Sequence, residues 1–64
     1  MDTANVLKSL RLRMGLTQDE FAKLVGVHQP HVSRSEKPGY ICDIAYLKRV
    51  SEKTGKKLIM HYGR

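Results

Sequence analysis

Residues 18–37 read QDEFAKLVGVHQPHVSRSEK, and the first part of this stretch predicts a short helix over residues 18–25. Thr17 stands before the helix and Glu20 follows three residues later, which is the spacing of a capping box. Gly26 comes directly after it, where a left-handed backbone is needed to turn the chain. The pattern therefore predicts both the start and the end of this helix.

A second helix is predicted over residues 28–36, immediately after the turn. Pro30 falls in its first turn, where a missing N–H costs nothing because that donor has no partner within a helix. Ala22 is small where the two helices would cross, and Val32 supplies the apolar contact between them. The Lys-Pro-Gly sequence at 37–39 ends the second helix. Two short helices joined by a tight glycine-containing turn form a helix-turn-helix.

Further helices are predicted on both sides of this unit. Residues 4–14 carry apolar side chains at three- and four-residue spacing, and a glycine follows them. Residues 44–54 come after Asp43, a typical N-cap residue, and also end at a glycine. The core predicted from the helical patterns includes Val6, Leu7, Leu10, Met14, Phe21, Leu24, Val25, Val32, Ile44, Leu47 and Val50.

The end of the chain predicts a β-strand over residues 57–62, because it is a short apolar run rich in strand-forming residues. A single strand needs a partner for its backbone, and an isologous contact with a second copy of the chain would supply one. A fifth helix from about residue 56 is the competing interpretation. The residues predicted to form the dimer contact are Leu58, Ile59, Met60, His61 and Tyr62.

Length and composition narrow the class of protein. A chain of 64 residues is expected to form a single domain, residues 1–64, whose core is so small that a second copy is the expected stabilising partner. Its single cysteine, Cys42, excludes an intrachain disulfide. No apolar run is long enough to span a membrane, and the first residues do not resemble a signal peptide. The expected compartment is a reducing cytoplasm.

The charge balance favours a polyanionic partner. Twelve lysines and arginines against six acidic residues give a net charge of +6. Composition alone leaves three classes open, namely a nucleic-acid-binding module, a basic ribosome-like protein and a protein-interaction domain. No acid–base pair or nucleophile is recognisable, so no enzyme and no cofactor are predicted. His28 and His31 have metal-ligand spacing, but no acidic or cysteine side chain accompanies them and no metal is predicted.

The residues quoted above resemble the Cro/C1, or XRE-type, helix-turn-helix family. Residues 15–22, GLTQDEFA, are similar to the family's G-L-T-Q-x-E-[LF]-A opening, and residues 26–36 are similar to its G-V-x-Q-x-x-[IV]-S-x-x-E segment. The resemblance covers about residues 5–55 and implies a mainly α, compact four-helix, lambda-repressor-like domain. Three residues depart from the pattern. Ser35 stands where the family usually has an apolar residue. Pro38 replaces a glycine, and His28 replaces a serine or threonine cap.

Roles in DNA binding follow from the resemblance. It implies that helix 28–36 enters the major groove, with Gln29 as the best candidate to read adenine and Arg34 facing guanine or phosphate. Pro30 would contact a thymine methyl group, and Gln18 would meet phosphate and brace Gln29. The resemblance adds His28, Ser33 and Lys37 as lesser contacts to phosphate or base edges.

Gln29, Arg34 and several other polar or charged residues also have plainer structural interpretations. Gln29 and Arg34 could form an ordinary solvated helix face. Arg11 and Glu36 match a pair that forms a partly buried ion pair in the family, which implies a structural role. The positive charges at positions 48, 49, 53, 56 and 57 are interpreted as solvation and long-range attraction to DNA.

The implied function is a homodimeric, prokaryotic-type transcriptional repressor that binds an inverted-repeat operator in the nucleoid. Two roles compete within the family, a phage-type Cro/C1-like repressor and an antitoxin that represses its own operon. Residues 54–60, TGKKLIM, resemble the ending of antitoxins of the HipB/HigA kind, which adds a cognate toxin as a candidate partner. A protein-interaction module that kept the fold without binding DNA is a separate alternative. No membrane partner is expected.

Overall fold

The computed structural model describes residues 3–41 and 43–56. Each helix in this part of the chain begins and ends within one residue of its predicted bounds. The helices are α1 (Thr3–Arg13), α2 (Gln18–Val25), α3 (Gln29–Ser35) and α4 (Ile44–Thr54). A loop separates the third helix from the fourth, and α2 packs against both α3 and α4.

The starts of α2 and α4 are capped by side chains, as the sequence predicts. The Glu20 backbone N–H donates to Thr17 Oγ1 at 3.1 Å, and the Thr17 N–H donates to the Glu20 carboxylate at 2.8 Å. The Tyr46 N–H donates to Asp43 Oδ1 at 2.8 Å. His28 precedes α3 in an extended conformation and makes no capping hydrogen bond with its side chain. A side-chain hydrogen bond therefore holds the first turn of α2 and of α4, but not the first turn of α3.

The turn between α2 and α3 depends on Gly26. Its backbone has φ +88°, in the left-handed region that side chains with a Cβ rarely adopt. In this conformation the N–H groups of Gly26 and Val27 both donate to the Ala22 carbonyl oxygen, at 2.8 and 2.9 Å. The last turn of α2 is thus closed while the chain changes direction toward α3.

The core lies between the helices and differs from the predicted one in both directions: Ala4 and Tyr46 are buried without having been predicted, and two predicted side chains of α2 and α4 are exposed. Leu24 is 37% exposed and Ile44 is 54% exposed, although both were predicted to be buried. At about 100° per residue, each lies roughly 110° from the middle of the buried face of its helix. Met14, just after α1, is also exposed at 38%. The buried apolar side chains are Ala4, Leu7, Leu10, Phe21, Ala22, Val25, Val32, Tyr46, Leu47 and Val50.

Two predictions lie outside the described residues. They are the strand over residues 57–62, with its dimer contact, and the placement of Cys42.

Candidate nucleic-acid interface

The third helix has one face in the core and the opposite face in solvent. Val32 and Ser35 are buried, and the Ser35 hydroxyl donates to the Val32 carbonyl oxygen at 2.8 Å. A hydroxyl therefore occupies an apolar position without an unmet hydrogen bond. Helical spacing turns Pro30 and Arg34 to the opposite side, and both are exposed. Ser33 is half-buried beside them.

Gln29 lies on one flank of this outward face and is held by α2. Its Nε2 donates to Gln18 Oε1 at 2.7 Å, and both side chains are half-buried. Gln18 Nε2 in turn donates to Glu36 Oε1 at 3.1 Å. The side chain at the start of α3 is therefore fixed through the first residue of α2 to the residue that follows α3.

Glu36 is the centre of a buried ion pair with α1. Arg11 Nε donates to Glu36 Oε2 at 2.7 Å, and Arg11 Nη2 donates to Glu36 Oε1 at 3.0 Å. The remaining guanidinium nitrogen, Nη1, donates to the Leu16 carbonyl oxygen at 2.8 Å. The two side chains are 9% and 5% exposed, so water screens the pair little. Arg11 thus joins α1, the loop before α2 and the end of α3.

The environment of the pair changes the acid–base behaviour of both groups. Burial alone would raise the pKa of Glu36, but hydrogen bonds from Arg11 and Gln18, with the positive charges of Arg11 and Lys8, lower it below its ordinary value. The hydrogen bond to Glu36 raises the pKa of Arg11. Both groups are therefore charged at neutral pH.

The other flank of the outward face is held by an aromatic contact with α4. The rings of His31 and Tyr46 are stacked, with centroids 4.4 Å apart and planes inclined by 21°. Tyr46 is 5% exposed and belongs to the core, and its backbone N–H is held by Asp43. The sequence interpretation missed this contact. Its signal is an aromatic residue one position before Leu47, on the same buried face.

The comparison with known proteins agrees with this geometry. The model of a family described as helix-turn-helix matches residues 7–59, which is most of the chain. The chain belongs to the helix-turn-helix family. It is of the XRE, or Cro/C1, type, whose members are DNA-binding transcription regulators. No curated protein and no solved structure matches the chain.

In a helix-turn-helix protein the second helix of the motif is the recognition helix, and here that is α3. Arg34 and Lys37 are exposed on it and just beyond it, and neither side chain bonds to another described residue. His28 is exposed at its start. The structure thus brings Gln18 and Gln29 together and leaves Pro30, Arg34, Lys37 and His28 facing solvent on or beside the recognition helix.

Arg49 was interpreted only as a surface charge, but it also contacts the turn of the motif. Its Nη1 donates to the Gly26 carbonyl oxygen at 3.3 Å, at the C-terminal end of α2. A cation at that end is attracted to the partial negative charge of the helix carbonyls and stabilises the helix. The role was missed because the contact joins positions 23 residues apart.

Within the described residues, no group of histidine, cysteine and acidic side chains is placed to hold a metal ion. None of the described helices is long and apolar enough to cross a membrane.

Proposed function

We propose that the protein is a sequence-specific transcriptional repressor that binds an inverted-repeat operator as a homodimer. One observation carries the proposal. The outward face of the recognition helix is exposed at Pro30 and Arg34 and is not covered by the rest of the described chain, while Gln29 at its edge is held by a hydrogen bond from its own Nε2 to Gln18. A fixed polar group at the start of a recognition helix is suited to reading a base edge.

Base recognition is assigned to three residues of α3. After the bond to Gln18, Gln29 retains its carbonyl oxygen and one N–H, which together match N6 and N7 of adenine. Arg34, five positions later and exposed, is suited to guanine O6 and N7 or to phosphate. Pro30 has no N–H to donate and offers an apolar contact to a thymine methyl group.

Phosphate contacts are assigned to the residues around that face. Gln18 is the first residue of α2, where backbone N–H groups and the helix dipole favour an anion. His28, Ser33 and Lys37 add side chains that donate hydrogen bonds. The net charge of +6 strengthens attraction to DNA at long range.

A homodimer determines the form of the operator. Two recognition helices related by a two-fold axis require an inverted repeat, with half-site centres about 34 Å or 10 bp apart, or a multiple of this distance. Such a protein would act at the nucleoid.

The test begins with the chain and a pool of random duplex DNA. Repeated selection should enrich an inverted repeat, and the affinity for it should fall steeply with salt concentration. A flat salt response, or no binding at low salt, would contradict the proposal and favour a protein-interaction module instead.

A matched pair of variants separates base reading from phosphate binding. Gln29→Ala should reduce the preference at one base pair by about 1–3 kcal/mol and leave the fold intact. Lys37→Ala should weaken binding to all sequences alike and lower the salt slope by about one. Equal losses for Gln29→Ala on selected and scrambled duplexes would show that Gln29 does not read a base.

The antitoxin role is the narrower proposal and is supported by the resemblance of residues 54–60 to antitoxin endings. A small toxin reading frame beside the gene, and co-purification of its product with this protein, would support it. A phage-type repressor is expected to have neither.

A further inference from the structure

A chain of hydrogen bonds links Arg11, Glu36, Gln18 and Gln29, and every donor in it points toward Glu36. Arg11 donates to Glu36, Gln18 donates to Glu36, and Gln29 donates to Gln18. Each primary amide has one end that donates and one that accepts. The direction of this chain therefore determines which end of each amide faces its neighbour.

Glu36 is the group that fixes this direction. An ionised carboxylate only accepts hydrogen bonds, so the atom of Gln18 that faces Glu36 must be the donor, Nε2. The Gln18 oxygen then faces Gln29, and Gln29 must donate with Nε2. Arg11 keeps the carboxylate in place with two charge-assisted bonds, of 2.7 and 3.0 Å.

The direction has a consequence for the base that Gln29 can read. In the observed direction Gln29 presents an oxygen and one N–H, which match the donor and acceptor of adenine. If Gln18 turned its amide over, Gln29 would have to accept with its oxygen, and its oxygen and N–H would exchange positions at the base edge. The N–H would then face position 6 of the base, where adenine has a donor and guanine has an acceptor, so the reversed direction loses the match with adenine and favours guanine relative to it.

We propose that Glu36 is a positioning residue that makes Gln29 select adenine over guanine, although Glu36 itself lies two hydrogen bonds away from Gln29 and does not touch the base. The inference rests on the proposed base reading by Gln29 and extends it to the cause of the preference. The ion pair with Arg11 then has a role in specificity as well as in holding α1 against the end of α3.

The substitution Glu36→Gln tests this because it keeps the shape of the side chain and changes one oxygen to an NH₂ group. That group must face one of the two Arg11 donors. An NH₂ group in place of Oε2 would face Arg11 Nε, whose bond to that oxygen is the shorter one, at 2.7 Å. An NH₂ group in place of Oε1, where the bonds from Arg11 and Gln18 are 3.0 and 3.1 Å, is therefore less unfavourable. The NH₂ group is therefore expected to face Gln18 and to turn the Gln18 amide over.

The experiment uses the duplex selected by the unaltered protein and its variants at the base pair whose preference Gln29→Ala removes. The readout is the ratio of affinities for adenine and guanine at that position, measured where each protein is folded by circular dichroism. The unaltered protein should favour adenine by roughly 5- to 150-fold. Glu36→Gln should lower the ratio at least several-fold, toward or below one.

Gln18→Met is the second variant, because it removes the link and keeps the Arg11–Glu36 pair and hence the fold. It should lower the same ratio, and adding Glu36→Gln to it should cause no further change. A purely structural role of Glu36 would weaken binding to both duplexes equally and leave the ratio unaltered.

The outcomes are distinct. An unchanged ratio in folded Glu36→Gln, or in Gln18→Met if Glu36→Gln does not fold, overturns the inference while base reading by Gln29 stands. A Gln29→Ala variant that keeps every base preference overturns the base reading and the inference together.

Discussion

The two flanks of the recognition helix are held in different ways. On the side of α1 and α2, Gln29 and Glu36 are fixed by directional hydrogen bonds that end at a buried ion pair. On the side of α4, His31 lies flat against the ring of Tyr46, which is part of the core. One helix of seven residues therefore has a polar attachment on one side and an aromatic attachment on the other.

The difference separates position from orientation. A stacked pair of rings fixes the distance of α3 from α4, but it does not specify which atom of a neighbouring amide donates. A chain of hydrogen bonds does specify this, at the expense of burying charges that must remain paired. The side chain that must present a defined edge, Gln29, is attached to the polar flank.

The largest expected effect comes from breaking the polar flank. Glu36→Ala leaves Arg11 buried without its counter-charge, and the free energy of unfolding should fall by about 3–5 kcal/mol. Urea denaturation measures this. Asp19→Ala is the matched control, because the Asp19–Lys23 pair is exposed and should contribute no more than about 1 kcal/mol. Similar losses of unfolding free energy in both variants would show that burial does not make the Arg11–Glu36 pair contribute more than an exposed pair.

Acid should weaken the polar flank selectively. The pKa of folded Glu36 is lowered, so its contribution to stability is complete above the ordinary pKa of about 4.3 and is lost as pH falls through the lower folded value. The difference in unfolding free energy between the unaltered protein and Glu36→Gln should be constant from neutral pH to about pH 5, then shrink. A constant difference at all acidic pH values would contradict this explanation.

The smallest expected effect comes from the aromatic flank. His31→Ala removes the stacking on Tyr46 and should lower the free energy of unfolding by about 0.5–1.5 kcal/mol. His28→Ala is the matched control, because His28 is exposed and makes no capping bond, and it should change stability by less than about 0.5 kcal/mol. His31→Phe should keep most of the stability. If it behaves as His31→Ala does, ring stacking is not the cause.

The sequence predicted the elements of the fold because their ends carry local signals. The capping box at Thr17, the N-cap Asp43 and the left-handed Gly26 act within a few residues of the chain, and the structure contains all three. The predicted burial of Leu24 and Ile44 was wrong because residues three positions apart are offset by about 60° around a helix. Spacing alone did not show where the buried face ended.

The candidate site was predictable where a family pattern fixed a pair of residues. Gln18 and Gln29 do meet, and so do Arg11 and Glu36. The stacking of His31 on Tyr46 and the bond from Arg49 to Gly26 depend on how α4 packs against the motif. No local pattern encodes that packing, so these contacts required the structure.

Pro30 in the first turn of α3 has a consequence for the heat-capacity change on binding. Its ring fixes φ, so the unfolded chain has fewer conformations to lose there, and the helix is formed before DNA is present. Association should therefore show a heat-capacity change that reflects only the surface buried against the duplex, without the larger change of a segment that folds on binding.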